Sequence, residues 1–181
     1  MNGMMHAMEV AGDRVAMIEI PTPIPGKGEV RVKVITAAVN AAEKIVISGS
    51  FVGRFLHAKT SPLVLGWDFA GIIDSIGEGV TDMAEGTSVW GHLPYSMFTK
   101  QGTFAQYVTL PYPTLAVKPD DVPYHVAAAA ATVSMTSLQS LRDHGRLQEG
   151  GKLMIIGAGG GIGSVSIGIG KRLGVHVTAV C

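Results

Sequence analysis

Apolar and polar positions alternate in short runs over the first 120 residues. Val30, Val32 and Val34 are separated by Arg31 and Lys33, the period of a half-buried strand. The same reading predicts strands over 15–20, 68–76, 87–90 and 104–110, separated by Pro21-Thr22-Pro23, Pro25-Gly26-Lys27-Gly28, Gly77-Glu78-Gly79 and Lys118-Pro119-Asp120. Residues 40–47 read as a short helix and 49–61 as a loop. Short antiparallel strands at this spacing predict a small, barrel-like β domain.

After Asp121 the pattern changes. Pro123 opens a helix over 126–131, and a second helix is expected over 133–144, with Leu138 and Leu141 on one face and Gly145 as its stop. Gly150-Gly151 then turns into the apolar run 152–156. A glycine cluster follows, then a helix on which Ile162, Val165, Ile169 and Leu173 keep helical spacing. Gly174 closes it, and 175–181 reads as a second strand. That order is β-turn-α-β, the opening unit of a doubly wound nucleotide-binding sheet. The expected class is α/β plus β, with one domain over 1–121 and a second over 122–181.

Composition narrows the function. Charged residues are 15% of the chain, against about 25% in an average domain. The formal net charge is zero and the sequence pI is about 7.0, so neither nucleic acid nor an anionic membrane finds the basic patch it needs. A neutral surface repels its own copies weakly, and a homodimer is expected. The lone cysteine, Cys181, makes no internal disulfide, which points to a reducing, cytoplasmic setting; 1–10 lacks the features of a signal peptide. The uncharged stretch 153–170 approaches the length of a membrane span, yet seven of its residues are glycine, each costing about 1 kcal/mol inside a helix. No span is expected.

The glycines carry the strongest chemical signal. There are 24 in 181 residues, against about 7% in an average protein, with no collagen period. Within Gly157-Ala158-Gly159-Gly160-Gly161-Ile162-Gly163 the pattern is Ala158-x-Gly160-x-x-Gly163, with alanine where the strict fingerprint has its first glycine. A dinucleotide pyrophosphate needs free backbone N–H groups at a helix N-terminus, and a Cβ in the turn blocks its approach. A merely structural turn is the bland alternative. The ribose-reading residue lies about 20 residues further on. That falls at or beyond Cys181, so NAD and NADP are not distinguished.

The order of features resembles the medium-chain dehydrogenase/reductase superfamily, and within it the zinc-independent quinone oxidoreductase and enone reductase branch. The resemblance rests on Asn40-Ala41-Ala42-Glu43, Pro62-Leu63-Val64-Leu65-Gly66-Trp67-Asp68-Phe69-Ala70-Gly71, Gly77-Glu78-Gly79-Val80-Thr81, Gly102-Thr103-Phe104-Ala105-Gln106-Tyr107-Val108, Met135-Thr136-Ser137-Leu138 and the 157–163 cluster. It implies a GroES-like β-barrel domain followed by the first β-α-β of a Rossmann-type domain, the N-terminal part of a longer chain. The places of the catalytic zinc ligands resemble Asn40, Trp67 and roughly Thr132, and an amide, an indole and a hydroxyl are poor zinc donors. Zinc is therefore not expected.

By the same resemblance, Ala158, Gly159, Gly160, Gly161, Ile162 and Gly163 cradle the pyrophosphate of NADPH, with NADH as the alternative. Asn40 and Thr136 stand near the nicotinamide, and the substrate-side residues are Phe51, Arg54, His57 and Trp67. Tyrosines that some relatives place near the nicotinamide are replaced at Ile45 and Phe51, leaving Lys44 as a substitute proton donor. Plainer readings stay open. Asn40 reads equally as a helix cap and Thr136 as a hydroxyl bonded back to its own helix. Trp67 with Asp68 reads as wall and structure, and Lys44 and the loop cations as solvated charges. The expected activity is metal-free hydride transfer to a quinone or an α,β-unsaturated carbonyl (an enone or enal). A non-catalytic scaffold of the same fold is the first rival, and a zinc alcohol dehydrogenase the second. Gly168 and Gly170 are expected to be costly within their helix.

Overall fold

The computed structural model describes residues 3–12 and 14–181, which form two compact units, Met1–Ala129 and Ala130–Cys181. None of the candidate site residues lies outside the described positions.

The first unit opens on a hairpin, β1 (Met4–Ala11) against β2 (Arg14–Pro21), in register from Met4↔Pro21 to Ala11↔Arg14. Strand β1 is absent from the sequence reading because its inward residues break strict alternation. Met5 and Ala7 point in, and the next buried residue is Val10. The main sheet is antiparallel, in the order β6 (Tyr107–Pro111), β3 (Glu29–Ala37), β4 (Asp68–Ile76), β5 (Ser88–His92) and β7 (Ala116–Val117). Bridges Ala7↔Ala105 and Glu9↔Val64 tie β1 to the segments beside that sheet. They also explain why β6 starts at Tyr107 rather than at 104. The Phe104 carbonyl accepts the Met8 N–H at 2.7 Å, so this stretch serves β1 before it joins β3.

The alternation read at Val30 and Val32 holds, since both side chains are fully buried, together with Trp67, Phe69, Val89 and Val108. Strand β4 lies tightly against β3. A Cβ on Gly71 would collide with the Lys33 carbonyl oxygen, and the β3–β4 register shifts between Val34 and Thr36. On β3 the Arg31 guanidinium, half-buried, donates to Asp74 Oδ2 of β4 at 2.6 and 2.7 Å and to the Pro23 carbonyl at 3.1 Å. Partial burial makes such a two-nitrogen contact stronger than an exposed ion pair.

Helix α1 (Ala41–Ile47) lies where expected, but the predicted loop 49–61 contains a single helical turn, α2 (Gly53–Leu56). The two helices read over 126–131 and 133–144 are one element. Helix α3 (Tyr124–Leu138) continues as a π-helical turn over Gln139–His144. The run Ala127–Ala131 has the highest helix propensity of any residue type, and Thr132 does not interrupt it. The start of α3 is fixed within the first unit. Buried Lys118 donates to the Pro119 and Val122 carbonyls at 2.8 Å and sits over the Tyr124 ring, whose hydroxyl meets Ser88 Oγ at 2.7 Å. Ala127 and Ala128 then pack on Ala70.

In the second unit β8 (Lys152–Ile156) and β9 (His176–Val180) pair in parallel, linked by α4 (Gly161–Arg172). The buried face of α4 is Gly163, Ser166 and Gly170, not the expected line of Ile162, Val165 and Ile169; Ile162 is exposed. Small residues win because the helix lies close to the strands. A Cβ on Gly170 would stand 2.9 Å from Val177 Cγ2 and 3.0 Å from Leu153 Cδ2. The expected cost at this position is thus exchanged for close packing. Gly168 has nothing within 4 Å of its missing Cβ, and no contact in the structure explains it. The uncharged stretch 153–170 is divided among strand, turn and helix, and among the described residues no helix is long and apolar enough to cross a membrane.

The two helix glycines therefore behave oppositely. Gly168→Ala raises the melting temperature, by the equivalent of about 0.5–1 kcal/mol gained in helix propensity. Gly170→Ala loses that gain to overpacking of about 1–3 kcal/mol and lowers it. Thermal denaturation of the two variants checks the pair.

Candidate functional site

The glycine turn joins β8 to α4. Gly157 adopts φ +76°, a conformation that favours glycine, and its N–H and that of Ala158 both donate to the Val180 carbonyl, at 2.9 and 3.0 Å. These two bonds fasten the turn to the end of β9. Gly160, extended at φ −78° and ψ 170°, is the N-cap of α4, and its carbonyl accepts the Ser164 N–H at 2.9 Å. That is the helix's first internal bond. The N–H groups of Gly161, Ile162 and Gly163 therefore belong to the first turn, which has no carbonyl ahead of it to accept them. A Cβ on Gly163 would strike the Gly157 carbonyl oxygen, whereas one on Gly159 would project into open space. Gly163 closes the turn, and Gly159 leaves its outer face bare. Ala158, in the first glycine's place, has its methyl buried, so that substitution costs the turn nothing on its outer side.

Thr136 lies half-buried on α3. Its neighbour Ser137, fully buried, was not singled out from the sequence, and it carries the link to the turn. Ser137 Oγ donates to the Ile162 carbonyl at 3.1 Å and accepts from Ser166 Oγ at 3.0 Å, while Ser166 Oγ also approaches the Ile162 carbonyl at 2.8 Å. A serine between a threonine and a leucine leaves no sequence signal for that contact.

In the first unit the predicted residues gather around α1 and the start of β4. Asn40 is the N-cap of α1, and Glu43 Oε2 accepts its backbone N–H at 2.7 Å in a capping box. The Asn40 side-chain amide donates to Asp68 Oδ2 at 3.1 Å, and Asp68 is fully buried. Trp67 is buried as well, stacked on Tyr95 at 4.8 Å between ring centroids and meeting His57 edge-on at 5.9 Å. Two of the residues in the zinc-ligand places are thus an amide occupied with a carboxylate and an indole occupied with two rings. Among the described residues no three His, Cys, Asp or Glu side chains form a metal-binding group.

His57 is buried with each ring nitrogen facing a carbonyl oxygen, Ala58 O from Nδ1 at 2.7 Å and Gln101 O from Nε2 at 3.2 Å. Its ring stands in the wall, edge-on to Trp67. Phe51 is exposed and packs edge-on against Phe55 at 5.1 Å, and Lys44 and Arg54 are exposed. Glu43 and Tyr95 are further members that the sequence reading did not place at the site. Glu43 is buried with Oε1 lacking a hydrogen-bond partner. Burial, and more weakly the Asp68 carboxylate nearby, push its carboxyl above the ordinary value of 4.5 against the opposing hydrogen bonds from its own N–H and that of Asn40.

Comparison with known proteins adds a family. Residues 26–120 match the alcohol dehydrogenase GroES-like domain. The chain is 32% identical over 155 residues to a mycocerosic acid synthase-like polyketide synthase of Mycobacterium tuberculosis, covering 86% of this chain and 7% of that protein. It is 32% identical over 167 residues to a mitochondrial NAD(P)H oxidoreductase of Mus musculus, covering 84% of this chain and 41% of that one. Among solved structures, an alcohol dehydrogenase superfamily protein from Novosphingobium aromaticivorans superposes with a TM-score of 0.89 at 28% identity, over 98% of this chain and 53% of that one. A mycobacterial quinone oxidoreductase superposes at 0.81 and 27% identity, over 97% and 52%. The chain thus spans about half the length of these structures and less of the relatives matched by sequence.

Because its folded pKa is raised, Glu43 contributes stability that is fully present below pH 4.5 and is lost as pH rises through the raised value. Melting temperatures of wild type and Glu43→Gln, taken at intervals from about pH 4 to pH 8, should move apart in the variant's favour as pH increases. A constant difference across that range overturns the assignment.

Proposed function

Because this chain belongs to the alcohol dehydrogenase GroES-like domain family, within the medium-chain dehydrogenase/reductase superfamily, we propose that it is the N-terminal part of a metal-free, NADPH-preferring reductase of quinones or α,β-unsaturated carbonyls. The observation that carries the cofactor reading is the turn 157–163. It presents first-turn N–H groups behind glycines whose missing side chains leave room for a phosphate, which is the shape and charge a dinucleotide needs. When bound, the nicotinamide supplies the hydride.

The chain's own residues do the remaining work. The N–H groups of Gly161, Ile162 and Gly163 receive the pyrophosphate, with Gly159 and Gly160 letting it approach. Ser137 and Ser166 hold the Ile162 carbonyl and so keep the first turn of α4 in place for it. Asn40 and Thr136 serve the nicotinamide side. Asn40 is suited to that because Asp68 fixes the orientation of its amide. Phe51, Arg54, His57 and Trp67 form the acceptor side, and Lys44, exposed on α1, is the proton donor assigned to the product oxyanion. The donor set supports a metal-free reading, since neither Asn40 nor Trp67 offers zinc a thiolate or imidazole. Without a Lewis acid, an already electron-poor acceptor is the better substrate than an alcohol. The functional boundary falls at 121/122, where the dinucleotide-binding part begins, and the working form is a cytoplasmic homodimer.

Titration of the full-length protein with NADPH and NADH, followed by cofactor fluorescence, tests the reading. Binding of NADPH is expected, weakened at least tenfold by Gly160→Val, a change of about 1.4 kcal/mol or more. Failure to bind either nucleotide overturns it. Binding without turnover across a panel of quinones and enals favours a scaffold instead.

A further inference from the structure

The first unit contains a cavity of about 610 Å³ between α1, α2 and the segment that follows them. That volume lies within the range of small-molecule sites. Val46, Leu63 and Met97 give it apolar walls, and Arg54 and Lys59 stand at its lining. From Lys44 to Trp67, the stretch that supplies nearly all of the wall, there are three cationic side chains and no carboxylate, in a chain whose 14 basic and 14 acidic residues balance overall. The flanking acids are occupied elsewhere, Glu43 with the Asn40 N–H and Asp68 with the Asn40 amide. Among the described residues the ion pairs join His6 to Glu19, Lys27 to Glu78, Arg31 to Asp74 and Arg142 to Asp143, so neither Arg54 nor Lys59 has an acidic partner.

Thr60 also lines the cavity, with its Oγ1 buried beneath the surface. His57 is on the wall too, its ring nitrogens facing the Ala58 and Gln101 carbonyls.

We propose that this cavity binds an oxyanion on an apolar stem, a carboxylate or phosphate monoester whose charge is met by Arg54 and Lys59 and whose stem lies against Val46, Leu63 and Met97. A guanidinium pairs with either oxyanion through two parallel N–H groups, and the Lys59 ammonium adds a point charge. Read with the proposed reductase activity, on which this second step rests, the cavity makes the acceptor an acidic enone or quinone, one carrying a carboxylate or phosphate at the end of its chain.

Equilibrium binding separates the site from the reaction. Octanoate and octyl phosphate are titrated calorimetrically into the full-length protein, with octanol as the neutral probe of the same stem. At least one anion is expected to bind ten or more times tighter than octanol, and to lose that advantage in the double variant R54Q/K59Q and in high salt. The tighter of the two anions tells carboxylate from phosphate. Octanol binding as tightly as both anions, or the double variant retaining the preference, overturns the site. Anion binding with these properties in a protein that reduces no acceptor upholds the site and overturns the reductase reading alone. In a protein that does turn over, a lower KM for an ω-carboxylated 2-alkenal than for its methyl ester is expected, and equal KM values overturn the acidic-acceptor step.

Discussion

The close approach of β3 and β4 is the constraint on which the first unit depends. The two backbones come so near that position 71 has room only for hydrogen where the Lys33 carbonyl passes. With that contact made, Phe69 and Ile73 enter the core beside Val30 and Val32, and Asp74 comes within reach of Arg31. The same strand begins with the buried Asp68, directly after the buried Trp67. The element that completes the hydrophobic core therefore also delivers the two side chains around which the polar site is arranged. A disturbance of the β3–β4 register would move both together, since a slip of one residue reverses every side chain.

Polar groups at this site hold one another. Asn40 spans two tasks: its backbone N–H is taken by Glu43 and its amide by Asp68. Asn40 is thus both the N-cap of α1 and a donor to the carboxylate that opens β4. Burial of Glu43 beside Asp68 places two carboxyl groups in one region, and the cost appears as the raised affinity of Glu43 for its proton. The second unit solves a similar problem differently. Its turn needs bare backbone on the outside and close helix packing on the inside, and small residues at 159, 163, 166 and 170 answer both needs.

Much of this was legible in the sequence. Strands β3, β4 and β8 and helix α1 follow from alternation and turn residues, and the turn 157–163 from its glycines between an apolar strand and a helix. Other parts were not. Strand β1 broke its alternation at Val10, and α3 ran through Thr132 because alanine propensity outweighed the threonine. The inward face of α4 is the clearest case. Apolar spacing pointed to Ile162, Val165 and Ile169, while packing distance selected glycine and serine instead. Ser137, Tyr95 and Thr60 gave no signal because their importance comes from partners 29 and 28 residues away or from a cavity wall, and such distances have no local pattern.

The central strands, the change from antiparallel to parallel architecture and the place of the glycine turn are written in residues close together along the chain. Which groups meet is not written there. The tertiary structure set Asn40 against Asp68 and Trp67 against Tyr95, and it gathered Arg54, Lys59 and Thr60 around one cavity. Hydrogen bonds and charges act across a few ångströms of space, and which residues come that close is settled only when the core closes.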